Sequence, residues 1–235
     1  MTLDETMKLL ASKGTEQTRK TFRRHGAPEP LFGVKVGDLK PVAKQIKGDQ
    51  DLAMQLYATG NSDAMYLAGM VADGAKMTRT EMDRWAKDAS WSMISGTTVP
   101  WVAAEHQDAI EIAMKWIDSP GENVANAGWA TLSAVVCVRP DSELPMKQIG
   151  GLLDRVAKTI HTSRNQVRYA MNNFVICCGT YVAPLAEEAL ITAKKIGAVE
   201  VDMGKTACQV PDAETYILKG RRGLAVVPKR KTTRC

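Results

Sequence analysis

The sequence predicts an all-α protein, a row of short helices stacked as a solenoid. Three observations lead to that fold class. Thr2 with Glu5, and Thr78 with Glu81, have the spacing of a capping box, in which each end of a Thr-x-x-Glu stretch satisfies the other's backbone. Apolar residues recur at helical spacing along most of the chain. No sustained alternation of apolar and polar residues between hairpin turns is found; "AVEVDM" has the look of a short strand but stands alone.

The elements follow in order. In "DQDLAMQLYATG", Leu52, Ala53, Leu56 and Tyr57 share one face and Gly60 supplies the stop. "AMYLAGMVA" and "ANAGWATLSAVVCV" are apolar nearly all round, as expected of helices covered on both sides. Ile110, Ala113, Met114 and Ile117 repeat at helical spacing, as do Leu152, Leu153, Val156 and Ile160. Breaks containing Gly or Pro fall near 14, 26–33, 48, 60, 74, 96–100, 119–121, 139–141, 179–184, 197 and 204–211. They leave roughly a dozen helices joined by short loops, which suggests a degenerate helical repeat, with a compact bundle as the alternative. No linker divides the chain, so one repeat domain is expected over 1–218, followed by a basic tail over 219–235.

Composition narrows the function. The chain has 235 residues, 45% hydrophobic and 24% charged, ordinary for a globular protein. No apolar run reaches the roughly 20 residues of a membrane span, so no membrane partner is expected. "MTLDETMKLL" carries acids and no secretion pattern, and a cytoplasmic address is expected. Cys137, Cys177, Cys178, Cys208 and Cys235 match neither a disulfide framework nor a CxxC site, and His25, His106 and His161 have no ligand spacing. No metal and no cofactor are expected, and buried reduced thiols are the reading for Cys177 and Cys178. Neither a GxSxG elbow nor a Gly-rich phosphate loop occurs. The net charge of +5 is unevenly placed: "KGRRGLAVVPKRKTTRC", including Lys229, Arg230 and Lys231, has seven Lys or Arg and no acid. Arg19, Lys20, Arg23, Arg24 and His25 form a second cluster. Such clusters attract phosphate backbones; a solubilising tail and a solvated helix face are the alternative.

Three stretches carry a family resemblance: "TRKTFRRHGAPEPLFGVKVGDLKPVAKQI", "NSDAMYLAGMVAD", and "DASWSMISGTTVPW" over 88–101. Together they resemble the DNA alkylation repair family, the AlkD-like HEAT-repeat alkylpurine DNA glycosylases, from about residue 15 to 200. The closing "VEVDMGKTACQVPDAETYI" and the basic tail look like one bacterial branch of that family. The resemblance implies a HEAT-like (armadillo-like) α-α superhelix whose concave basic face cradles duplex DNA, damaged or distorted. It implies a catalytic slot holding an aromatic and an aspartate. There a cation is drawn to an aromatic face and a fixed carboxylate favours the sugar's developing positive charge.

Carried over by position, Trp91 fits the slot's tryptophan, and Ser95 stands where the aspartate belongs, or Gly96 in the register anchored on Val99–Pro100. No Asp or Glu occurs between Asp88 and Glu105. A neutral hydroxyl lacks the Coulomb attraction of a carboxylate, worth several kcal/mol in a partly desolvated site. The family's phosphate-gripping arginine has no counterpart in "ENVANAGWATLSAVVCV", where Gly128 or Trp129 falls. A later aromatic is matched by Phe174, and Arg168, Asn172 and Asn173 on the same helix are candidate DNA contacts. Trp91, Trp101 and Trp129 have packing between helices as their alternative role. The expectation is therefore a phosphate-gripping DNA-binding protein with weak or absent alkylpurine excision. Two alternatives are an active glycosylase with a rearranged carboxylate (Asp88, Glu105 or Asp108) and a protein-binding scaffold.

Overall fold

The computed structural model describes residues 1–234, which are helical with no strand among them. Two compact units are formed, residues 1–107 with 203–207, and residues 108–202 with 208–234. Unit 1 contains α1 (Leu3–Lys13), α2 (Glu16–Arg24), α3 (Val36–Gln45), α4 (Gln50–Ala58), α5 (Ser62–Val71), α6 (Arg79–Asp88) and α7 (Val99–Ala103). Unit 2 contains α8 (Ala109–Ile117), α9 (Glu122–Val138), α10 (Met146–Thr159), α11 (Asn165–Tyr181), α12 (Ala186–Ile196) and α13 (Ala213–Arg221). "AVEVDM" forms no strand; Asp202 instead donates its N–H to Asn165 Oδ1 (2.7 Å), and its carbonyl accepts from Asn165 Nδ2 (2.8 Å). Among the described residues no single helix is long and apolar enough to cross a membrane.

Local chemistry sets the helix ends. Both capping boxes form, with Thr2 and Thr78 accepting from the backbone of Glu5 and Glu81 while each glutamate closes back. Asn61 caps α5 by accepting from Asp63 and Ala64. The buried face of α4 is Leu52, Ala53, Leu56 and Tyr57, and Gly60 ends it at φ 68°. In α8 the buried stripe is Ala109, Ile112, Ala113, Trp116 and Ile117, one position round from the one the spacing suggested.

The core of unit 1 centres on α5, whose residues from Ser62 to Gly69 are all buried, between α4 and α3. In unit 2, α11 is the central helix. It packs on α9 and α13, while α10 packs on α12, so helices two apart in sequence are neighbours. That alternation is the mark of stacked helix pairs, each burying a face that one pair alone would leave wet.

The segment from 219 onward belongs to the packing of unit 2. Arg221 is buried; its Nε donates to the Gly179 carbonyl (2.8 Å), one that the end of α11 leaves free, and its Nη2 to the Ala186 carbonyl at the start of α12 (2.6 Å). Farther on, Val227 donates to the Thr180 carbonyl (3.0 Å) and Arg230 to the Cys137 carbonyl (2.8 Å). The chain end thus lies across the ends of α9 and α11.

Candidate functional site

The serine- and threonine-rich stretch after Trp91 is a helix with one wide turn. Ile94 and Ser95 donate to the Trp91 carbonyl (both 3.0 Å), and Val99 reaches back five residues to Ile94. Ile94–Thr98 is therefore a π turn. Pro100 is the physical cause: it has no N–H for the Gly96 carbonyl, and its ring would press on that carbonyl in an α turn. The hydroxyls do not cap the following helix, since α7 has no side-chain cap. Thr98 instead packs on α5, where a Cβ added at Gly69 would come within 2.4 Å of its methyl group. Ser95 is 0% exposed, and its hydroxyl donates to the Trp91 carbonyl (3.2 Å). The residue in the carboxylate slot faces its own backbone.

Trp91 is 6% exposed and borders a small cleft with Phe22, Leu39, Ser62, Asp63 and Tyr66. Its ring lies 5.7 Å from that of Phe22, tilted by 48°. Two buried polar atoms here, Trp91 Nε1 and Ser62 Oγ, have no protein partner. The acid beside them, Asp63, is fully occupied. Its Oδ2 accepts from the backbone of Phe32 (2.7 Å) and Gly33 (3.0 Å), and its Oδ1 from Val34 (2.8 Å). One carboxylate thus pins the loop between α2 and α3. Gly33 is required there: its φ is 79°, and a Cβ would stand 2.6 Å from the Arg19 nitrogen.

Of the other carboxylates weighed for a rearranged site, Asp88 is exposed at the end of α6 and Glu105 accepts from the Gly74 N–H (3.1 Å). Asp108 precedes α8 in unit 2.

The two aromatic candidates of unit 2, Trp129 and Phe174, lie in its core. Trp129 is 1% exposed and Phe174 0%, their rings edge-to-face at 5.4 Å. The Arg155 guanidinium sits 5.7 Å from the Trp129 ring and 2.7 Å from Asp118, closing that side. Neither ring is presented to a nucleotide. Asn172 is completely buried and donates to the Pro211 carbonyl (2.8 Å), a contact within the chain itself. Arg168 lies one turn earlier on α11, half-buried, with no partner at Nε; Asn173 is half-buried.

The basic residues divide by what holds them. Arg23 Nε donates to Glu29 Oε1 (3.1 Å), and Glu16 is 3.9 Å from its Nη1. That hydrogen bond holds the Glu29 carboxyl below its usual range. Lys229 donates to the Val136 carbonyl (2.8 Å) and pairs with Asp141 (2.7 Å), so it anchors the tail. Arg24, Arg222, Arg230 and Lys231 remain exposed. The Phe22–Trp91 cleft and the Asp63 clamp escaped the sequence reading. Phe22 inside a run of basic residues was the visible hint, since an apolar ring there needs somewhere to pack.

Stacked helix pairs in each unit, with a tryptophan-bordered cleft and exposed arginines and lysines, define a HEAT-like helical-repeat protein. The chain belongs to the DNA alkylation repair enzyme family, whose model matches residues 6–207. It is 34% identical over 227 residues to the uncharacterised protein Lin0241 of Listeria innocua, covering 94% of this chain and 98% of that one. The uncharacterised protein Lmo0209 of Listeria monocytogenes matches equally, at 34% over 227 residues with 94% and 98% covered. A solved structure superposes over 100% of both chains at a TM-score of 0.91 and 38% identity. It is described as a new family of proteins related to the HEAT-like repeat DNA glycosylases, with affinity for branched DNA structures.

Proposed function

We propose that this protein binds DNA at branch points by gripping phosphates, and that it does not excise alkylated bases. The observation that carries the reading is the slot after Trp91: Ser95 is sealed from solvent and bonded to its own helix, and no acid occurs between Asp88 and Glu105. A leaving purine's sugar would meet no carboxylate at that position, and Asp63, which borders the cleft, is committed to the backbone of Phe32, Gly33 and Val34. Binding is supported by the full-length likeness to a protein with affinity for branched DNA. The exposed Arg24, Arg222, Arg230 and Lys231 support it from the chain's own charge. Phosphate contacts fix position and carry no base sequence, so the preference expected is for DNA shape.

Fluorescence anisotropy with a labelled four-way junction and a linear duplex of equal length tests this. Tighter binding to the junction is expected, falling about a hundredfold between roughly 50 and 200 mM salt, as for a grip on about four phosphates. Duplex containing 7-methylguanine should release no base above the protein-free control. Efficient release would overturn the non-catalytic half, and no junction binding at low salt would favour a protein-binding scaffold instead.

The exposed tail residues give a finer expectation. Arg230→Ala with Lys231→Ala should weaken binding uniformly across sequences and reduce the salt slope by about two. An unchanged slope in the same titration would remove the tail from the interface.

A further inference from the structure

The outer face of α12 is ordered by charge about one isoleucine. Ala186, Ala189, Thr192, Ala193 and Ile196 are buried, and Glu187, Glu188, Ile191, Lys194 and Lys195 are exposed. Ile191 is 67% exposed, more than any other large hydrophobic side chain among the described residues. Two ion pairs tie α12 to α13, Arg221 Nη1 to Glu187 (3.1 Å) and Lys194 Nζ to Glu214 (3.6 Å). They set the two helices antiparallel. Ile191 falls between Glu187 and Lys194 at helical spacing, and Leu218, 51% exposed, falls between Glu214 and Arg221 in the same way. The two aliphatic side chains therefore lie side by side on one ridge, with an ion pair at each end.

Acids in the first turn and lysines in the last also answer the helix dipole, and that asks for no partner. The dipole does not account for the isoleucine. A β-branched aliphatic in the middle of an exposed helical face serves neither helix propensity nor solubility. A single such residue is ordinary on a surface, but here Leu218 extends it into a patch rimmed by charge.

We propose that this ridge docks a second copy of the chain, in a symmetric pair whose two-fold axis passes through Ile191. A contact of that symmetry needs a surface complementary to itself. The face of α12 has this property by position: Glu187 and Glu188 precede Ile191 by the same spacings at which Lys195 and Lys194 follow it. Laid antiparallel on its copy, α12 sets Glu187 against Lys195 and Glu188 against Lys194, twice over, with Ile191 on Ile191 at the centre. Among the described residues Glu188 and Lys195 form no ion pair within the chain, so each of these contacts brings one charge not already answered. At 11 residues α12 is about 16 Å long, so the contact is small and the association weak and reversible. It uses none of the exposed residues offered above to DNA, and it requires no DNA.

Sedimentation velocity of the full chain without DNA, from about 5 to about 500 µM, reads this association directly. The weight-average sedimentation coefficient should climb from that of a monomer toward that of a dimer. Ile191→Glu should weaken association at least about tenfold while leaving the melting temperature unchanged, as expected of an exposed position. Glu188→Lys and Lys194→Glu should each weaken it about tenfold or more, because each sets two like-charge contacts across the axis. Mixed in equal amounts, these two variants should pair with each other to within about threefold of the wild-type affinity, since every reversed charge then faces an opposite one. A chain that stays monomeric across the range overturns the proposal. A dimer unchanged by Ile191→Glu also overturns it, placing the contact on another face, and a mixture that fails to recover overturns the two-fold register.

Discussion

Asp63→Ala is expected to unfold unit 1 near ambient temperature or to leave it severely weakened. The carboxylate accepts three backbone N–H groups of the loop between α2 and α3. Each buried donor left without a partner costs about 1–3 kcal/mol, so a loss of at least about 3 kcal/mol follows. Asp63→Asn keeps one acceptor oxygen and turns an N–H₂ toward the remaining donors, so its loss should be smaller but still clear. Urea unfolding followed by the fluorescence of Trp91, Trp85 and Trp101, all buried in unit 1, checks both. A midpoint within error of wild type for the alanine variant would show that the clamp does not hold the loop. The loop matters for function because Val34 borders the Trp91 cleft and Arg23 and Arg24 end the helix that precedes it.

Phe174→Ala is expected to destabilise unit 2 by about 3–5 kcal/mol, the cost of emptying an aromatic-sized space in a sealed core. For a chain of this size that corresponds to a fall in melting temperature on the order of 10 °C. Junction affinity, measured well below the new melting temperature, should stay within about twofold of wild type, since a core ring contributes only through the fold. The two readouts separate two roles for one ring. A ring stacking on DNA would lose affinity with little change in stability, and the packing of Phe174 on Trp129 predicts the reverse.

Much of the fold was legible because its signals are local. Thr2 and Thr78 announced their helices through a glutamate three residues on, and the face of α4 followed from spacing. In α8 two stripes, one through Ile110 and Met114 and one through Ile112 and Trp116, share Ala113 and Ile117. Which is buried depends on how α9 lies against it, and that is not written locally. The site was legible to the same extent. Losing the acid after Trp91 is a fact of sequence, whereas the burial of Ser95 is a fact of packing. The destinations of Lys229, at Asp141, and of Asn172, at Pro211, lie far along the chain, and charge or polarity alone does not specify them. Asp63 likewise finds its donors some thirty residues earlier. Trp129 and Phe174 were ambiguous for a different reason, because a ring that stacks on a base and one that fills a core are the same residue type.

The π turn at Ile94–Thr98 also makes the aim of Trp91 a matter of counting. A wide turn absorbs one residue more than the regular helix would, and each helical residue turns the chain by about 100°. Shortening the stretch by a single position, at Gly96 for instance, would remove the residue that the wide turn absorbs, while the proline would still interrupt the hydrogen-bond ladder. The Trp91 ring would then swing about a quarter-turn relative to α7, away from Phe22. Substitutions in this segment adjust the lining of the cleft, but a one-residue deletion re-points it. Chain length between Trp91 and Pro100, more than the identity of the serines and threonines, sets the direction in which the tryptophan looks.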